Sequence, residues 1–145
     1  MHRDFMADNL MDLPQRTGIQ NIGLIDFDLA GKGPAVYDLA SLAEQVRRDY
    51  PDTLREKIIA RYSAAMPDIS PAQVRQGIAI CAVQRHLRIT ALLQRLVDQP
   101  QHAAKRIMQK RAHAYIFEHL RNPALAPVAA WFRQTLPAFL ENGAL

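Results

Sequence analysis

Asp4, Asn9 and Asp26, near the start of the chain, have the side-chain types and the spacing that phosphoryl transfer requires. That reaction needs little covalent help from a protein; positioning and charge neutralisation dominate it. A carboxylate must accept or orient the proton of an attacking hydroxyl, and Asp4 is the candidate. A divalent metal must bridge nucleotide phosphates. Hard Mg²⁺ takes oxygen ligands and keeps several waters, so one amide oxygen and one carboxylate are enough, and Asn9 and Asp26 supply them. Asn9 lies five positions after Asp4, so a tight loop can aim both side chains at one phosphoryl group. Singly, each residue has a plainer reading. Asp4 and Asp8 fit as surface acids, Asn9 as a turn residue, and Asp26 as the cap of a strand end. Their order, with a predicted hairpin between them, favours a site. His2 reads as a hydrogen-bonding histidine that braces the loop. Arg3 either packs or faces phosphate, and Asp28 is either an acid near the metal or simply exposed.

Two short apolar runs, Leu10-Met11-Asp12-Leu13 and Ile22-Gly23-Leu24-Ile25, flank the turn formers Pro14-Gln15-Arg16-Thr17-Gly18. This predicts a β-hairpin. Its entry and exit would lie close together, which gathers Asp4, Asn9 and Asp26. Gly31-Lys32-Gly33-Pro34 then breaks the chain, and helices follow. Asp38 suits an N-cap before Leu39, Leu42, Ala43 and Val46. Thr53-Leu54-Arg55-Glu56 reads as a capping box opening a helix with Leu54, Ile58 and Tyr62 on one face. Ser70-Pro71-Ala72-Gln73 combines a second box with proline at the first helical position, and that helix is expected to reach Val97. Another helix is expected from Gln101 to Leu120. A last one begins at Asn122-Pro123, interrupted by Pro127 and Pro137. The aromatics Tyr62, Tyr115, Trp131 and Phe132 read as core. The expected fold is mainly α with a small β-hairpin, one domain over 1–145. Residues 1–34 would carry the catalytic loop and metal-binding hairpin, and 35–145 the helices.

The chain has 145 residues, 49% apolar and 22% charged, in keeping with one folded domain and neither disorder nor a membrane span. No apolar run approaches the ~18 residues that cross a bilayer. Cys81 is the single cysteine, so no internal disulfide forms and a cytoplasmic setting is expected. The net charge of +4 is spread along the helices with acids among it and without interleaved aromatics. It reads as solvated helix faces, or as mild attraction for an anionic substrate such as a nucleotide; nucleic acid is an unlikely partner on this pattern.

The order His2-Arg3-Asp4, Asn9, Asp26-Phe27 has the spacing of the kinase loop H-R-D-x-x-x-x-N followed by a metal-binding D-F pair. With it, the chain resembles the C-terminal lobe of the aminoglycoside phosphotransferase/choline kinase-like superfamily. His2-Arg3-Asp4-Phe5-Met6-Ala7-Asp8-Asn9-Leu10-Met11 most resembles the bacterial cell-wall amino-sugar kinases, which phosphorylate N-acetylmuramate and N-acetylglucosamine in peptidoglycan recycling. The supporting segments are Leu13-Pro14-x-Arg16-x-Gly18, Gly23-Leu24-Ile25-Asp26-Phe27, Gly33-Pro34-Ala35-Val36-Tyr37-Asp38-Leu39-Ala40-Ser41-Leu42 and Gln84-Arg85-His86-Leu87-Arg88-Ile89. The resemblance implies that Asp4 is the catalytic base and that Asn9 and Asp26 ligate Mg²⁺ with ATP. It also implies that Asp38 braces the loop and that the acceptor is a small molecule, in all expectation a sugar. Asp28 stands where a protein kinase has the glycine of D-F-G, which fits the small-molecule branch.

Such an enzyme needs a nucleotide-clamping lobe before this loop, and only Met1 precedes His2. The sequence therefore reads as a C-terminal lobe with the N-terminal lobe absent. The isolated chain is expected to be inactive or nearly so. The competing reading is a free-standing helical interaction module, or a degenerate kinase relic, that self-associates through the former interlobe face.

Overall fold

The computed structural model describes residues 1–96 and 103–141. The hairpin forms where the sequence alternates apolar runs with turn formers. Strands β1 (Leu10–Asp12) and β2 (Ile22–Leu24) pair antiparallel, with Leu10 opposite Leu24 and Asp12 opposite Ile22. Both are shorter than the apolar runs that announce them. Leu13 and Ile25 lie outside the strands, yet their backbone N–H groups still donate across the hairpin to Asn21 and Asn9. The turn closes through Gly18, at φ +59°, where a side chain would be strained, and a 3-10 turn over Gly18–Asn21 leads into β2.

Among the described residues, the α-helices that follow are α1 (Tyr37–Ala43), α2 (Asp52–Ala65), α3 (Pro71–Gln94), α4 (Ala103–Leu120), α5 (Ala126–Thr135) and α6 (Pro137–Glu141). The box at Ser70 forms as the sequence predicts. The Gln73 N–H donates to Ser70 Oγ at 3.3 Å, and the Gln73 side chain accepts from the Ser70 N–H at 2.9 Å.

Other boundaries differ. Val36, not Asp38, is the N-cap of α1, because the Ala40 N–H already reaches the Val36 carbonyl; Asp38 lies in the first turn, its carboxylate engaged elsewhere. Helix α1 also stops before Val46, which is buried in the connection beyond it. Pro51, in extended conformation, starts α2, which leaves Thr53 inside the first turn instead of capping it. Leu54 is 38% exposed, and the inward face of α2 is Ile58, Ile59 and Tyr62. Pro127 does not interrupt the last segment. It sits in the first turn of α5, where no N–H partner is lost, whereas Pro137 ends α5 and opens α6. The expected ends at Val97 and Gln101 lie outside the described residues.

Helix α3 is the spine. One side, Val74, Ile78, Cys81 and Ala82, packs with Leu39, Ala40 and Ile59 of α1 and α2. The other, Ala79 and Val83, packs with Ile116, Leu120, Ala129 and Phe132 of α4 and α5. Gly77 allows the close approach of α3 to Val36, where a β-carbon would meet Val36 Cγ2 at 2.8 Å. Tyr62, Tyr115 and Phe132 sit in or against the core as expected. Trp131 does not: it is 51% exposed, meeting Phe132 edge-on from outside. Two bidentate pairs tie α2 to its neighbours, Arg55 with Glu118 of α4 and Arg75 with Glu56 between α3 and α2.

Candidate active site

The loop before the hairpin is held from three directions. The carboxylate of Asp38, on the first turn of α1, accepts from the backbone N–H of His2 at 2.6 Å and of Arg3 at 2.9 Å. The buried His2 ring donates from Nε2 to the Ile25 carbonyl at 3.0 Å, since a carbonyl can only accept. His2 thus joins the loop to the exit of the hairpin. Asp8 forms ion pairs with Arg47 (3.5 Å) and Arg48 in the connection after α1. The Arg48 hydrogen bond holds the Asp8 carboxyl below the usual carboxylate range.

Within this frame Asn9 turns back on Asp4. Its Nδ2 donates to the Asp4 carbonyl at 2.9 Å and lies 3.5 Å from Asp4 Oδ2. The Ile25 N–H donates to the Asn9 carbonyl at 3.1 Å, so the residue after Ile25, Asp26, leaves the hairpin beside Asn9. Arg3 and Asp26 both have positive φ, 75° and 60°. Such backbone is costly for residues with a β-carbon and concentrates where function over-determines geometry. The Arg3 and Asp28 side chains are exposed, with no hydrogen bond or ion pair among the described residues.

The Asn9 Oδ1 atom and the Asp26 carboxylate also have no protein partner among the described residues. An amide oxygen and an open carboxylate are donors that suit a hard cation with water in its remaining positions. Among the described residues, no three His, Cys, Asp or Glu side chains gather closely enough to bind a metal by themselves.

Several contributors lie outside the loop and hairpin motifs. Arg85 on α3 is 2% exposed; its Nη2 lies 3.6 Å from Asp4 Oδ1, and its Nε donates to Ser41 Oγ at 2.9 Å. Burial pulls the Arg85 pKa down, but a guanidinium remains charged. Glu44, at the end of α1, is fully buried and accepts from His86 Nε2 at 3.2 Å and His119 Nε2 at 2.7 Å. Burial pushes its carboxyl up, but the hydrogen bonds from His119 and His86 prevail and bring it to about 2. His86 is moved down by burial, against the pull of Glu44. The available signal was polar residues at i, i+3 and i+4, namely Ser41, Glu44 and Gln45, in a segment otherwise apolar enough to be core.

Residues 1–76 match the model of a family described as the phosphotransferase enzyme family. The chain belongs to that family. The family resemblance read from the loop and hairpin motifs is thereby borne out. Over 136 residues, 94% of its length, the chain is also 29% identical to an N-acetylmuramate/N-acetylglucosamine kinase of Caulobacter vibrioides. It spans 38% of that relative's length. The segment matched by the phosphotransferase family model runs from the loop through the hairpin, α1 and α2 into the first turns of α3. It therefore contains Asp4, Asn9, Asp26 and Asp38.

Proposed function

We propose that this chain is the C-terminal catalytic lobe of an ATP-dependent small-molecule phosphotransferase acting on a hydroxyl of an amino sugar. The observation that carries this reading is the convergence of Asp4, Asn9 and Asp26 at the two feet of one hairpin, with Asn9 bonded to both sides. Asp4 accepts the proton of the acceptor hydroxyl as its oxygen bonds to the γ-phosphorus of ATP, and the bond to ADP breaks. Asn9 keeps the Asp4 carboxylate in place, and Arg85 balances its charge from behind. Asn9 Oδ1 and Asp26 would hold Mg²⁺, which supplies neutralisation of phosphate charge when bound.

The nucleotide clamp would come from another segment or subunit. Supporting this, Ile19, Ile22, Leu24, Ile25, Phe27 and Leu29 are all exposed along the hairpin and the loop beyond it, around Asp26. An apolar face of that kind is suited to cover by another folded unit. Without such a clamp, these 145 residues would transfer phosphate at background rate. The same face favours a second reading, a relic that pairs with its own copy, in which case sedimentation would show a dimer without Mg-nucleotide binding.

The test begins with the intact mass of the protein from its native cells, then phosphate transfer from Mg-ATP to N-acetylmuramate and N-acetylglucosamine at that native length. Asp4→Asn is expected to cut turnover by about 10²–10⁴-fold, the usual worth of a positioned base, while sugar binding persists. No transfer by the native-length protein, or an Asp4→Asn variant that keeps most of its activity, would sink the proposal.

A further inference from the structure

A second feature adjoins Asp4. A cavity of about 290 Å³ is lined by Asp4, Gln45, Arg85, Arg88 and Lys105, over an apolar floor that includes Leu93. That is close to the volume of one small ligand. Neither Asn9 nor Asp26 lines it, so it adjoins Asp4 away from the two proposed metal ligands.

Two observations say what the cavity is built to meet. The first is unsatisfied polarity. Gln45 is 2% exposed, and both its amide oxygen and its amide nitrogen lack a partner among the described residues; Arg85 Nη1 is in the same condition. Buried polar atoms without partners are rare in folded proteins, and each calls for a ligand or an ordered water. The second is charge. Arg47, which also lines the cavity, is paired with Asp8, and Arg85 offsets Asp4. Among the described residues, Arg88 and Lys105 have no ion pair, and Asp4 is the one acid that lines the cavity. An apolar floor strengthens such uncompensated charge by lowering the local dielectric.

We infer that this cavity selects acceptors bearing a carboxylate, with Arg88 and Lys105 receiving the carboxylate and Gln45 hydrogen-bonding the neutral part of the acceptor. The two oxygens of a carboxylate match one guanidinium fork and one ammonium. Asp4, with its charge already offset by Arg85, meets the hydroxyl at the other end. The inference rests on the reading of Asp4 as the base.

N-Acetylmuramate and N-acetylglucosamine are suitable probes, since they share a ring and differ by a carboxylate-bearing ether. Calorimetric titration of the 145-residue chain should give at least about tenfold tighter binding of the acid, a ratio in keeping with one charge-assisted contact. In the double variant Arg88→Gln with Lys105→Gln, two positions at or near the surface, the preference should fall to near unity. Gln45→Leu should weaken both sugars and leave the ratio intact. Equal binding of the two sugars, binding of neither, or a preference that survives the double variant would overturn the inference. Phosphate transfer by the native-length protein separates this outcome from the broader reading. Transfer to both sugars without preference sinks only the carboxylate site, and selective binding without transfer sinks only the kinase.

Discussion

Asp26 occupies a backbone conformation that disfavours most side chains, φ 60°, yet it presents an exposed carboxylate with no protein partner among the described residues. Asparagine tolerates that conformation better than most residues. Asp26→Asn should therefore fold with a urea midpoint close to that of the parent, since no ion pair is removed. The same change takes away a negative oxygen donor. We expect Mn²⁺ affinity, read by water-proton relaxation, to fall about tenfold or more, by analogy with the loss of groups around a metal. Unchanged Mn²⁺ affinity would remove Asp26 from the metal site. The types and order of Asp4, Asn9 and Asp26 were legible because the chemistry demands those groups at those spacings. Gln45 was not, and Arg85 stood out only within a segment that resembles the family, without a role. An arginine in a long helix reads as a solvated charge, and only tertiary packing shows that this one is buried against Asp4 and Ser41.

At the level of elements, starts written in side-chain chemistry could be read, whereas starts made by the backbone could not. Ser70 and Gln73 form the predicted box because their own side chains make it. Asp38 and Thr53 looked like caps, but α1 and α2 begin at Val36 and Pro51, whose carbonyls are already committed to the first helical turn. The carboxylate of Asp38 serves the loop of His2 and Arg3 instead, across more than thirty residues, a bracing role that the family resemblance implied and no local pattern announces. Gly77 is another hidden tertiary requirement. In a solvated helix Gly→Ala would stabilise by up to about 1 kcal/mol. Here the new methyl would press on Val36 Cγ2 at 2.8 Å, and overpacking of this kind costs about 1–3 kcal/mol. Valine has no flexible end with which to yield. Gly77→Ala should therefore destabilise the protein by about 1 kcal/mol or more in urea unfolding. A stabilised variant would mean that α3 and the segment before α1 do not pack this closely.

Across the whole molecule, the two halves of the core meet at Glu44. This residue ends α1, and its two carboxylate oxygens accept from His86 on α3 and His119 on α4. The same α3 carries Arg85 to Asp4 and Ser41 and, at the next position, His86 to Glu44, where Tyr115 stacks on the imidazole at 4.9 Å. A buried carboxylate would ordinarily protonate more easily than usual, but here the two N–H donors outweigh desolvation and hold it at about 2. The folded value lies below the ordinary 4.5 of glutamate, so the unfolded chain binds more protons between the two. The stability this confers is complete above about pH 4.5 and is lost as the pH falls toward about 2. His86 acts in the same direction. Its folded pKa lies below the ordinary 6.5, so the protein also loses stability as the pH drops beneath that value. Glu44→Gln keeps the shape but offers one N–H donor an amide NH₂, itself a donor, in place of an oxygen, and removes the charge. We expect it to lower stability at pH 7 by about 2–3 kcal/mol, the range for breaking a buried hydrogen-bonded charge. The difference from the parent should shrink as the pH is lowered from 4.5 to 2, as the parent loses what the variant never had. A constant difference across that window in urea unfolding would mean that Glu44 contributes shape alone, and that α1, α3 and α4 are joined only by their apolar faces.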